Sequence, residues 1–156
     1  MIYIDESGVD TFLVREYARD IRGEVVYWQD SGKRFARESF IAGLKNKHFI
    51  SPFCYQGTMD TNLFNFWLVN FLLPNISVGD VIVMDNGAFD KSEKTKEIIE
   101  EASCELIFLP PYSPDLNPIE KYWASLKVKI KNNITRFKTL AESIDQAFKL
   151  DQLNFN

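Results

Sequence analysis

Residues 80–85 have the sequence DVIVMD, a continuous apolar run that is bounded by an acid at each end. A strand that is apolar at successive positions, without alternation, is expected where both faces of a sheet are covered. A charged amphipathic helix is predicted next, at residues 91–101, and a second apolar strand, CELIFL, at residues 104–109. This alternation predicts that residues 80–85 form a central strand of an α/β fold.

The remaining elements follow on either side of this strand. Further strands are predicted at residues 1–5, 11–17, 24–29, 38–44 and 48–55, and Ser7 and Gly8 are turn signals after the first. Residues 60–73 predict a helix that is apolar over most of its circumference and therefore deeply buried, with Pro74 at its end. Another helix begins at Asn117-Pro118, and the last covers about residues 139–150. We therefore expect a single domain over residues 1–156, a mixed sheet with helices on both sides.

Three acids are placed where these elements begin or end. Asp5 follows an apolar run, Asp85 closes the central strand, and Glu120 lies just inside a helix start. Strand ends of open α/β sheets meet at one crevice, and three carboxylates there can hold two divalent metals roughly 3.5–4 Å apart. Ligation by carboxylates alone suits hard ions, so two Mg²⁺ (or Mn²⁺) ions are expected. The pattern is typical of a nuclease or strand-transfer core.

Each acid also has an ordinary structural interpretation. Asp5 could open a turn, and Asp85 precedes Asn86 and Gly87, which are common turn residues. Glu6 follows Asp5 directly, so the two side chains point to opposite faces and the sequence alone does not choose between them. Glu120 stands three residues after Asn117 and could accept a hydrogen bond from the backbone of that cap, as in a capping box.

Helical periodicity places Glu120 at the border of an apolar stripe. At about 100° per residue, the stripe contains Ile119, Trp123, Leu126 and Ile130. The face of Glu120 itself continues through Ala124 to Lys127 and Lys131, two candidate contacts for DNA phosphates. Trp123 is predicted to anchor the core.

The sequence LPPYSPDLNPIE at residues 109–120, followed by Trp123 and by Leu126-Lys127, carries a family resemblance. Together with YIDESG, VIVMDNGAF and the 34 residues between Asp85 and Glu120, it resembles the catalytic domain of DDE transposases of the mariner superfamily, in their bacterial insertion-sequence branch. The resemblance extends from residue 1 to about residue 131 and implies a ribonuclease H-like fold. It also implies that Asp5, Asp85 and Glu120 are the metal ligands and catalytic residues. Asp90 departs from the family, which usually has a histidine there.

The activity that the resemblance implies is metal-dependent cleavage and strand transfer of DNA. Hydrolysis nicks a transposon end, and the freed 3′-hydroxyl attacks target DNA, at a TA step in similar members, within a homodimer. Family members also carry an N-terminal reader of the transposon ends, which we expect to be absent here. The alternatives are a truncated or remnant transposase that inhibits an active copy by dimerising with it, and a ribonuclease H-like nuclease acting on hybrids.

Composition limits the other classes of function. The formal net charge is −4, which is unusual for a DNA-binding protein, but residues 121–138 contain six basic side chains and no acid. A second basic region covers residues 33–47, interrupted only by Glu38.

No apolar run is long enough for a membrane helix and no signal peptide is indicated, so a bacterial cytoplasmic protein, nucleoid-associated when bound to DNA, is expected. Cys54 and Cys104 are expected to be buried free thiols.

Overall fold

One five-stranded sheet forms the framework of the chain. The computed structural model describes residues 1–10, 37–87, 91–133 and 140–153, so the strands predicted at 11–17 and 24–29, and Asp90, lie outside the described residues. The strands are β1 (Ile2–Asp10), β2 (Arg37–Lys45), β3 (His48–Tyr55), β4 (Val81–Met84) and β5 (Glu105–Phe108). Their order in the sheet is β3-β2-β1-β4-β5. The predicted fold class, a mixed sheet with the ribonuclease H-like arrangement, is confirmed.

Four α-helices accompany these strands in the described part of the chain. They are α1 (Thr61–Trp67), α2 (Glu93–Glu101), α3 (Ile119–Asn133) and α4 (Leu140–Leu153). A π-helical turn (Leu68–Leu72) and a 3-10 turn (Leu73–Asn75) continue α1, and a second 3-10 turn (Pro114–Leu116) precedes α3. Asp60 and Ser92 cap α1 and α2, because each side chain accepts a hydrogen bond from the backbone three residues on.

The centre of the sheet is parallel, as the predicted crossover through α2 requires. Ile2 and Ile4 of β1 lie opposite Ile82 and Met84 of β4, and β4 pairs in turn with β5. At the other edge, β2 and β3 are joined by Asn46 and Lys47, which both have positive φ. Two positive φ values are what a type I′ hairpin turn needs.

The chain divides into two compact units. The first comprises Met1–Glu6, Ile41–Phe53 and Thr58–Lys121, and the second Ser7–Phe40, Cys54–Gly57 and Tyr122–Asn156. In the first unit, Trp67 is fully buried and its indole N–H donates to the carbonyl oxygen of Ser51 at 2.8 Å. This bond ties α1 to β3. Lys45 and Asp80 form an ion pair in the same unit at 2.6 Å.

An aromatic cluster forms the core of the second unit. The ring of Trp123 lies 5.1 Å from that of Phe40 and 6.3 Å from that of Phe148, and Trp123 is 2% exposed. The hydroxyl of Ser143 donates to the carbonyl oxygen of Ile130, which holds α4 against α3. Trp123 is therefore a core anchor, as its place in the apolar stripe predicts.

Three predictions of local structure are wrong. Strand β1 continues to Asp10 through Ser7 and Gly8, because strand pairing outweighs a weak local preference for a turn. The segment predicted as one deeply buried helix departs from α geometry before Pro74, whose ring crowds the carbonyl four residues earlier. Phe66 and Val69 on that segment are 51% and 46% exposed, so its apolar circumference is not fully buried. The third wrong prediction is the burial of Cys54, which is exposed on β3. Cys104 is buried as predicted, and both thiols are free.

Candidate active site

The register of the parallel β1–β4 pair brings Asp5 and Asp85 to adjacent positions. Ile4 lies opposite Met84, so Asp5 and Asp85 are the next residues on the two chains. Residues at matching positions of neighbouring strands project from the same face of a sheet. Strand β4 ends at Met84 while β1 continues, and accordingly Asp85 is exposed and Asp5 is partly buried.

Glu120 reaches the same region from the first turn of α3. Asn117 caps this helix, with its side-chain oxygen accepting from the backbone N–H of Ile119 at 3.3 Å. The backbone N–H of Asn117 donates to the carbonyl oxygen of Pro114 at 3.0 Å. A capping box would need that N–H for Glu120, so this alternative is excluded. The exposed carboxylate of Glu120 makes no hydrogen bond or ion pair with a described residue.

A single cavity of about 370 Å³ is lined by Asp5, Asp85 and Glu120. Its walls also include the amide side chains of Asn86 and Asn117 and the loop at residues 109–114. One oxygen of Asp85 accepts from the backbone N–H of Asn86 at 2.7 Å, which fixes the orientation of that carboxylate. All these residues belong to the first unit. The three acids that the sequence singled out therefore face one space.

Two residues of the cavity wall are unusual, one in its backbone conformation and one in its hydrogen bonding. Tyr112 has a φ of 59°, in the left-handed region, and its side chain is fully exposed. The side-chain oxygen of Asn86 is buried and has no hydrogen-bond partner among the described residues. Neither residue, nor Asn117 as a lining residue, was singled out for the site by sequence reasoning. The one sequence feature that could have pointed to Asn86 is its position directly after Asp85, a candidate ligand.

Glu6 does not line the cavity of the three acids. It lines a smaller one, of about 100 Å³, which also contains Asp5 and Asp85. The alternation of side chains along β1 thus separates Glu6 from the space that Glu120 faces, and the assignment of the site residue to Asp5 rather than Glu6 stays a prediction.

The side-chain oxygen atoms that line the cavity are of the kinds that bind hard divalent cations. Carboxylate and amide oxygens are what Mg²⁺ and Mn²⁺ prefer. Within the ranges that the structure describes, however, no three His, Cys, Asp or Glu side chains are clustered closely enough to hold one ion as placed. The carboxylates share a cavity without the tight convergence of a formed coordination shell. Among the described residues none forms a hydrogen bond with the carboxylate of Glu120, so an inward turn of this side chain would break none.

The candidate DNA-contact lysines lie in the second unit. Lys127 and Lys131 are partly exposed on α3. Lys129, from the same basic segment, forms an ion pair with Asp151 at 2.9 Å and so is engaged within the fold. Arg136 and Lys138 lie outside the described residues. A role in DNA contact for Lys127 and Lys131 stays a prediction.

Comparison with known proteins identifies the family. The model of the family described as DDE superfamily endonuclease matches residues 1–142, so the chain belongs to this family. A chain of the cryo-EM structure of the simian T-cell lymphotropic virus intasome, in complex with PP2A regulatory subunit B56 gamma, is similar with a TM-score of 0.62 at 11% identity. That match covers 94% of this chain and 46% of the other, so this chain spans about half the length of that neighbour.

The catalytic core domain of BIV integrase has the same fold. Its crystal structure matches with a TM-score of 0.58 at 9% identity, over 94% of this chain and 79% of that one. No curated protein matches the chain. In the part of the chain that the structure describes, no helix is both long and apolar enough to span a membrane.

Proposed function

We propose that this DDE superfamily endonuclease cleaves DNA and transfers strands as a transposase, with Asp5, Asp85 and Glu120 as the ligands of two Mg²⁺ or Mn²⁺ ions. The observation that supports this most directly is that all three carboxylates line one cavity in a chain whose family is that of DDE endonucleases. The adjacent positions of Asp5 and Asp85 follow from the β1–β4 register, and Glu120 comes from a separate helix.

Electrostatics argues for a cation in this cavity. Three carboxylates facing one space would repel one another and would also repel a DNA phosphate. When bound, divalent ions would supply the positive charge that activates the nucleophile and stabilises the leaving oxygen of a phosphoryl displacement. Asp85, held by the backbone of Asn86, provides a preoriented ligand. Glu120, without a partner among the described residues, provides an adjustable one.

The substrate part of the proposal is DNA, with transposon ends and a TA target. TA is a pyrimidine–purine step and deforms easily, which suits an enzyme that must bend its target. Lys127 and Lys131 are the proposed phosphate contacts, and a homodimer on DNA is the proposed assembly. A bacterial source, action in the cytoplasm and membership of the insertion-sequence branch of the mariner superfamily are parts of the same proposal.

A second candidate function is inhibition of an active transposase by dimerisation. The net charge of −4 favours it, because phosphate neutralisation supplies most non-specific affinity for DNA. The presence of all three carboxylates in one cavity favours the enzyme.

Nicking of supercoiled plasmid separates the two functions. With Mn²⁺ present, the enzyme is expected to convert supercoiled DNA to open circles, and chelation with EDTA should stop the reaction. A chain that binds DNA and a homologous transposase but never nicks would support the inhibitor. Nicking that persists in EDTA would contradict the carboxylate–cation mechanism.

A further inference from the structure

Asn86 lies at the cavity wall, and its amide oxygen is unsatisfied. Its side-chain oxygen is buried and accepts no hydrogen bond within the described ranges, although the residue lines the same cavity as the three acids. A buried acceptor without a partner is unfavourable, because it has given up its hydrogen bonds to water and gained none in the fold. Because buried polar groups are nearly always paired, each exception needs an explanation, of which a missing ion is one.

Asn117 shows that an amide can line this cavity and still have a hydrogen-bonded oxygen. It lines the same cavity, is 5% exposed, and carries the same amide. Its oxygen, however, accepts from the backbone N–H of Ile119, so it is anchored as a helix cap. The amide oxygen of Asn86 has no comparable anchor among the described residues, and turning it about its side-chain bonds breaks no hydrogen bond to that oxygen.

We infer that Asn86 supplies a fourth oxygen ligand to the cations held by Asp5, Asp85 and Glu120. This inference rests on the proposed function and adds a neutral donor to an otherwise anionic set. Asparagine oxygens are ordinary ligands of hard divalent ions. The backbone N–H of Asn86 already orients Asp85, so one residue would position a carboxylate with its main chain and coordinate with its side chain. Binding of the cation would satisfy the buried acceptor.

The test is Mn²⁺ binding to the whole chain, measured from the electron paramagnetic resonance signal of free Mn²⁺, with no DNA and no turnover. Two substitutions, Asn86→Ser and Asn62→Ser, each remove one side-chain amide without changing charge. Asn62 is exposed on α1 and does not line the cavity. Asn86→Ser should raise the Mn²⁺ Kd about tenfold, in the range found for groups that support a metal site. Asn62→Ser should leave it nearly unchanged. Melting in EDTA checks that both variants fold.

A second pair keeps the test decisive if a serine variant does not fold. Asn86→Asp and Asn117→Asp place the same added charge in the same cavity, and aspartate at 117 still caps the helix. Asn86→Asp should tighten Mn²⁺ binding more than Asn117→Asp does, because only the first adds charge to a ligand. Equal effects within either pair, or no effect of Asn86→Ser, would overturn the inference while leaving the carboxylate site intact. If the wild-type chain does not bind Mn²⁺ at all, the proposed cation mechanism fails and this inference fails with it.

Discussion

The backbone N–H of Asn117 donates to the carbonyl oxygen of Pro114, 3.0 Å away. Because of this bond, the carboxylate of Glu120 is not used to cap α3. Glu120 stands at the position from which a capping-box glutamate would accept that N–H. Since the 3-10 turn before α3 already satisfies it, the carboxylate is not needed for helix capping. The start of α3 is capped by Asn117, and Glu120 lines the cavity with Asp5 and Asp85.

Asp85→Asn should abolish Mn²⁺-dependent nicking while the chain remains folded. The substitution keeps the shape of the side chain and removes the charge of a direct ligand. The loss should exceed the ~10- to 100-fold effect of removing a supporting group. Asp115→Asn is the matched control, because Asp115 is exposed on the neighbouring 3-10 turn and does not line the cavity. Initial rates of plasmid nicking for both variants test this, and nicking by Asp85→Asn at the rate of the control would refute the mechanism.

Divalent cations should raise the melting temperature of the chain, and Glu120→Gln should reduce that gain. A ligand at about ten times its Kd stabilises the native state by roughly 1.4 kcal/mol. In EDTA the order should reverse: Glu120→Gln should melt slightly higher than the wild type, because one of three mutually repelling charges is gone. Melting curves with EDTA, Mg²⁺ and Mn²⁺ provide the comparison. Equal cation-induced shifts for both proteins would show that Glu120 is not a ligand.

Asp80→Asn should destabilise the chain at neutral pH by roughly 1 kcal/mol, the upper end of the range for ion pairs at the surface, because its pair with Lys45 is partly buried. The hydrogen bond from Lys45, together with one from the backbone N–H of Ser77, lowers the pKa of Asp80. A lowered folded-state pKa means that the stabilisation is complete above the unfolded value, about 3.9, and is lost as pH falls through the folded value.

The measurement is the free energy of unfolding of the wild type and of Asp80→Asn over a pH series. The difference between them should be constant near neutral pH and should shrink in acid. Asp115→Asn, which removes an exposed carboxylate, should follow the wild type throughout. A difference that grows as the pH falls would contradict the assignment of this ion pair.

Replacing Lys127 and Lys131 together with Ala should weaken binding to every DNA duplex alike. Phosphate contacts position a protein without reading sequence, and each contributes about 0.9 to the slope of log affinity against log salt. The double variant should therefore lower that slope by about 1.8. The matched control is the double substitution of Lys91 and Lys94, exposed lysines in the acidic part of the chain.

Salt titrations of binding to a transposon-end duplex and to a scrambled duplex test this prediction. If the double variant of Lys127 and Lys131 has an unchanged salt slope, or if the control variant loses as much affinity, the phosphate contacts lie elsewhere. Tight binding that prefers the end duplex would show that this chain reads sequence by itself.

The order of elements and the identity of the acids could be predicted from the sequence because both are local properties. The unbroken apolar run before Asp85 requires burial on both faces of a strand, and the stripe through Trp123 and Ile130 requires burial along one side of α3. The Asn117-Pro118 pair fixes the start of that helix whatever surrounds it. The family resemblance added a prediction that local patterns could not make, namely which acids act together in one site.

Other features depend on contacts between residues distant in sequence, and these only the tertiary structure decided. Ser7 and Gly8 favour a turn in isolation, but strand pairing carries β1 through them to Asp10. The parallel register of Ile4 with Met84 places Asp5 beside Asp85, which lies 80 positions further along the chain. The bond from Asn117 to Pro114 removed the capping role that the spacing from Asn117 left open for Glu120. The unsatisfied oxygen of Asn86 could not be foreseen, because whether a buried polar atom has a partner depends on every group that folding brings around it.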